Sequence, residues 1–208
     1  MSARLSIEID SRPLERVDAD VAVAGLFEDD RPLRGGAARA DWRLCGLLSR
    51  LIIDERISGA PGEAVLVPSE SRLRAPRVLV LGLGPRGKRS LAQVQDLVRD
   101  AADRVIALGL TKMALGPMGF AGDDWPRHAD AVVGAGLEAV NAADRPLELS
   151  LVVPGAAEAR ARASFGAVID ALGRPSIELV RRDDRRAADG PARRRKAPQG
   201  PPPLHRSP

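Results

Sequence analysis

Residues 78–87 read Val-Leu-Val-Leu-Gly-Leu-Gly-Pro-Arg-Gly, an unbroken apolar run that feeds directly into Gly82-x-Gly84-x-x-Gly87. Four consecutive branched or leucyl residues bounded by glycine describe a strand buried on both faces, as in a parallel sheet. The glycine spacing is that of a dinucleotide-binding turn. Such a turn also needs a helix opening at the glycines, intact amides facing the pyrophosphate, and an acidic residue about 20 positions on to hold the ribose. The chain departs from each requirement. Ser90-Leu-Ala-Gln93 is a capping box, so the helix begins after the third glycine. Pro85 removes an amide inside the motif. The following strand ends in Ala114-Leu115-Gly116, without Asp or Glu at its tip. The motif therefore reads as a tight strand-to-helix connection.

Outward from that strand, apolar runs alternate with helical stripes. Strands are expected at 5–9, 21–26, 64–67, 112–115, 147–153 and 177–180. Helices are expected at 38–53, with Leu44, Leu47, Leu48 and Leu51 as its buried stripe, from Ser90 to Gly109, near 127–142, and at 156–172. This order predicts an α/β fold with a largely parallel sheet covered on both faces. The 44% hydrophobic content and 208 residues suit one sizeable core.

The net charge of +4 has a specific address. Residues 181–208 hold nine Lys/Arg against three Asp, together with six prolines, so residues 1–180 are slightly acidic. One domain over 1–182 and a disordered basic tail over 183–208 are expected. The chain has no Tyr, three Phe and two Trp, too few for a base-stacking platform, and nucleic acid is not expected as a partner. No run approaches the ~20 apolar residues of a membrane span, and the N-terminus has no signal-like apolar region. With a single cysteine, no internal disulfide is available, and a cytoplasmic location is expected. Cys45 is read as a buried, inert thiol on its helix stripe, His128 as a surface or cap residue, and Asp41-Trp42-Arg43 as packing on the 29–36 loop.

The stretch Arg77-Val-Leu-Val-Leu-Gly82-Leu-Gly84, followed by an alanine-rich amphipathic helix, resembles the "GLG" segment of the N-terminal domain of cytosolic leucyl aminopeptidases. Asp20-Val21-Ala22-Val23-Ala24-Gly25-Leu26-Phe27-Glu28 resembles that domain's first central strand and turn, and Gly62-Glu63-Ala64-Val65-Leu66-Val67-Pro68 its hairpin strand. The resemblance implies a three-layer α/β/α, macro-domain-like fold with a mixed, mostly parallel sheet. It also implies that peptidase chemistry belongs to a separate two-metal domain with a signature like Asn-Thr-Asp-Ala-Glu-Gly-Arg-Leu. Asn141-Ala-Ala-Asp144-Arg145-Pro146-Leu147 echoes those letters but lacks the paired acidic ligands. The expectation is a non-catalytic module acting in protein interaction or assembly, with no metal and no cofactor. Its expected partners are a second copy or a catalytic aminopeptidase.

The chain is similar, more loosely, to macro domains that hold ADP-ribose. Gly35-Gly36 stands where their first glycines follow the central strand, and Gly116, Gly119, Phe120 and Gly122 stand where their phosphate loop would lie. Those six residues are the candidate ligand contacts for a phosphate-bearing nucleotide, the alternative function. Val23 and Leu26 replace the asparagines of that family's strand, so the resemblance supplies no residue for hydrolysis.

Overall fold

The computed structural model describes residues 3–87, 89–116, 118 and 125–181. Its centre is β2 (Val21–Phe27), flanked by β4 (Arg77–Gly84) on one side and β5 (Lys112–Leu115) on the other, both parallel to it. The sheet has seven strands in the order β3-β4-β2-β5-β6-β1-β7, where β1 is Leu5–Asp10, β3 Ala64–Pro68, β6 Leu147–Val152 and β7 Ile177–Val180. Among the described residues only the β3–β4 pairing is antiparallel, with Leu66 opposite Leu79. The sheet is therefore mixed and mostly parallel, as expected.

Period-two alternation splits β2 between two cores. Val21, Val23 and Phe27 face α3 (Leu91–Ala107), α4 (Trp125–Ala143) and α5 (Glu158–Leu172). Ala22, Ala24 and Leu26 face α1 (Gly35–Arg43), α2 (Leu47–Ile53) and a single 3-10 turn at Leu14–Arg16. Burying both faces of a strand stabilises it by about 1.5–3 kcal/mol per large aliphatic side chain, which is why β2 carries no polar residue. In α3, Val94, Val98, Ala101, Ala102 and Val105 form the buried stripe. The Ser90–Gln93 capping box is present in both directions, and Gly109, at φ +73°, follows the helix end in the left-handed region. Among the described residues, no helix is long and apolar enough to cross a membrane.

The single helix expected over 38–53 is two helices. Cys45 (φ +55°) and Gly46 (φ +80°) are both left-handed. The amide of Gly46 donates to the Asp41 carbonyl at 2.9 Å and that of Cys45 to Trp42 at 3.3 Å. This six-to-one and five-to-two pairing is a Schellman stop, which ends α1 before the leucine stripe is complete. The turn carries Cys45 off the stripe, so its thiol is exposed rather than buried. Asp41, expected to pack on the 29–36 loop, has its carboxylate turned to the start of α2. Its carboxylate accepts from the amide of Ser49 (3.0 Å) and from its hydroxyl (2.6 Å), supplying the N-terminal cap that Gly46 cannot give α2. Trp42 is left 76% exposed. His128 is buried in the first turn of α4, edge-on to Trp125 at 6.0 Å, instead of lying at the surface.

Candidate functional site

In a sheet of this kind, ligands bind beyond the carboxyl ends of the strands, where successive connections run to opposite faces. Here the chain leaves β2 for α1 on one face and leaves β4 for α3 on the other, so by that rule a ligand crevice is expected beyond β2, β4 and β5. Gly35 (φ +58°) and Gly36 open α1 at this end, after Arg34, which makes no side-chain cap. First-turn amides of a helix have no intrahelical acceptor and carry the positive end of its dipole. Gly116 follows β5 directly, and its amide donates to the Val23 carbonyl at 2.9 Å.

The two glycine positions meet around one side chain. Leu14 Cδ2 lies 3.4 Å from where a Cβ on Gly36 would stand and 3.2 Å from the same point on Gly116. Leu14 is 2% exposed, so the floor between the two loops is apolar. Val23 and Leu26 turn into opposite cores and are fully buried, which leaves neither at the crevice surface. Gly119, Phe120 and Gly122 lie outside the described residues, as does the tail at 183–208.

The glycines of the opening motif are committed to the backbone. Gly82 donates to the Glu63 carbonyl at 2.8 Å and Gly84 to that of Gly59 at 2.7 Å. The carbonyl of Ala60 fills the place a Cβ on Gly82 would take, and Gly84 sits at φ +72° beside Pro61. These amides hold the 59–63 loop against β4 and are spent before any phosphate could reach them. The strand accordingly runs on to Gly84, three residues past the apolar run.

What does rim the crevice was missed in the sequence. Arg86 donates from its amide to Asp29 at 2.8 Å and from Nε to the buried Asp30 at 3.0 Å. The Arg86 and Arg89 guanidinium carbons lie 4.7 Å and 5.0 Å from the centroid of the Phe27 ring. Arg89 also donates to the Leu83 carbonyl at 2.5 Å, and burial lowers its pKa from the usual arginine value. The signal was present as Asp29-Asp30 facing Pro85-Arg86, but nothing local announces that residues 57 apart in sequence form a clasp. Among the described residues, no group of three or more His, Cys, Asp or Glu could hold a metal ion. The rim as described ties the end of β4 to the turn after β2, through Arg86 on Asp29 and Asp30 and through both arginines on the Phe27 ring.

The profile of the cytosol aminopeptidase family, N-terminal domain, matches residues 23–140. A probable cytosol aminopeptidase of Burkholderia multivorans is 31% identical over 112 residues, which cover 51% of this chain and 22% of that protein. Another from Alkaliphilus oremlandii is 28% identical over 80 residues, 38% of this chain and 16% of that protein. The chain thus spans about a fifth of the length of these curated relatives. Among solved structures, a tomato leucine aminopeptidase variant superposes with TM-score 0.60 at 18% identity, over 83% of this chain and 38% of that one. An Oceanobacillus iheyensis macrodomain with ADP superposes at 0.56 with 12% identity, over 79% of this chain and 90% of that one. At these identities the superpositions speak for the fold, and the fold they share is macrodomain-like α/β.

Proposed function

This chain belongs to the cytosol aminopeptidase family through its N-terminal domain, and from that premise we propose that it works by protein contact, as an interaction or assembly module without peptidase activity of its own. The observation that carries this reading is the corner formed by α1 and α2. Trp42 is 76% exposed and Ile53 77% exposed on these adjoining helices, the two most exposed large apolar side chains among the described residues. Tryptophan outside a core is characteristic of the centre of protein interfaces. The occupant is a second copy of the chain or a catalytic aminopeptidase of the same family. Light scattering after size exclusion tests it: the wild-type chain gains mass alone or with a full-length cytosol aminopeptidase, and a Trp42→Ser/Ile53→Ser variant does not. Release of leucine from a chromogenic amide with added manganese or zinc would overturn the non-catalytic part.

A second reading rests on the crevice. Gly36 and Gly116 converge on Leu14, α1 points its amino end at the same place, and a structural neighbour of this fold is recorded with ADP. A nucleotide or ADP-ribose whose phosphates meet the first-turn amides of α1, with Gly116 giving room beside them, is the ligand this reading names. Micromolar binding of ADP-ribose by calorimetry, abolished by Gly119→Glu, would replace the pure interaction module with it.

A further inference from the structure

A second cavity lies at the opposite end of β2 from the crevice. It is an open depression of about 520 Å³ lined by Arg12, Arg16, Arg43, Arg72 and Arg74 with Ser71, against the carboxylates of Glu15 and Asp18. Three separate segments converge to build it: the connection from β1 to β2, the last residue of α1, and the turn between β3 and β4. Sequence patterning gave no hint of it, because the arginines are scattered over more than 60 positions.

The cations differ in how far they are already neutralised. Arg12 is bound to Asp10 through Nη2 at 2.5 Å and Nε at 3.0 Å, and reaches Asp18 at 3.4 Å. That attachment raises its pKa above the ordinary arginine value and makes it a fixed wall. Arg72 pairs with Glu70 at 2.7 Å, and Arg74 with Asp18 only at 3.9 Å. The Glu15 carboxylate is engaged by Arg39 at 3.5 Å. Among the described residues, neither Arg16 nor Arg43 forms an ion pair. Arg43 lies over the Trp42 ring at 5.1 Å, and its buried Nε has no acceptor. A buried donor without an acceptor is destabilising. In a cavity whose five arginines outnumber its two carboxylates, the group that complements the unpaired Arg16 and Arg43 is an anion.

We propose that this cavity binds a small oligophosphate anion, gripped by Arg16 and Arg43 and steadied by Ser71 and Arg72. Guanidinium forks match phosphate oxygens in pairs. The volume exceeds what one phosphate fills, and the positive charge is spread over its walls, which favours a diphosphate or longer chain over a single phosphate or carboxylate. The site is separate from the glycine crevice, since α1 lies between them with Gly36 at one end and Arg43 at the other.

The test uses the full chain and inorganic pyrophosphate, followed by titration calorimetry and amide chemical shifts. Saturable binding that weakens with added salt is expected, with shifts at residues 12–18, 43 and 71–74. Arg16→Ala/Arg43→Gln should weaken it roughly tenfold or more. Should that double variant fail to fold by circular dichroism, the exposed Arg16→Glu alone serves and should still abolish most of the binding. ADP distinguishes the sources: affinity equal to pyrophosphate means that only phosphate is read, and tighter binding that the same double variant weakens means a nucleoside diphosphate. No binding of pyrophosphate, or binding unchanged in a folded variant, would overturn the proposal. Binding of both pyrophosphate and ADP that survives the arginine substitutions but is lost in Gly119→Glu would overturn it too, while upholding the crevice.

Discussion

The carbonyl oxygen of Ala60 stands where a Cβ on Gly82 would have to be. The two are locked there because Gly82 and Gly84 donate to the carbonyls of Glu63 and Gly59, on either side of Ala60. Gly82→Ala should therefore cost about 3 kcal/mol or more, since backbone rather than a pliable side chain must give way. Urea denaturation measures it. A loss under 1 kcal/mol would mean that the glycine is dispensable to the fold and the motif must be explained by something other than packing.

Asp30 and Arg86 should respond unequally to truncation. Asp30 is nearly inaccessible, whereas the Arg86 side chain is 44% exposed. Arg86→Ala leaves a buried carboxylate without its cation and should cost about 2 kcal/mol, while Asp30→Asn leaves a guanidinium that water can still reach and should cost about half as much. Urea midpoints at neutral pH compare the two, and the reverse order would contradict this clasp.

Ser90→Ala removes the hydroxyl that accepts from Gln93 at 3.2 Å and unlinks the reciprocal bond from the Ser90 amide at 2.9 Å. A loss of about 1 kcal/mol is expected, with local amide exchange rising first in the opening turn of α3. Unchanged exchange there would show that the helix start does not depend on its cap.

Cys45→Gly should stabilise the chain by up to about 1 kcal/mol, because the residue sits at φ +55° where a side chain is strained. In the native wild-type chain the exposed thiol should react with a maleimide without denaturant. A thiol that labels only after unfolding would contradict the Schellman stop.

These particulars also mark how far the sequence could be read. All seven strands and their order along the chain follow from short apolar or alternating runs, clearest at β2 and β4, where burial on both faces leaves no polar residue inside the strand. The family followed from the Gly82-Leu-Gly84 segment and its neighbours. Residues 38–53 misled because the leucine spacing stays in helical register across a turn that only the φ values of Cys45 and Gly46 reveal. His128 misled because a helix start reads as surface, whereas Trp125 folds over it. The resemblance named Gly35, Gly36 and Gly116 together, and Gly36 and Gly116 do stand on either side of Leu14. Arg86, Arg89 and the arginine cavity were not, because cation placement depends on tertiary approach between segments far apart in sequence.

The most direct measurement is hydrogen–deuterium exchange of the full chain, read peptide by peptide at low and high concentration and with a full-length cytosol aminopeptidase added. An interaction module predicts new protection confined to peptides spanning residues 42–53, absent in Trp42→Ser/Ile53→Ser. Exchange unaltered at every concentration and with the added enzyme, or altered only around Gly35, Gly36 and Gly116 when ADP-ribose is supplied, would contradict it.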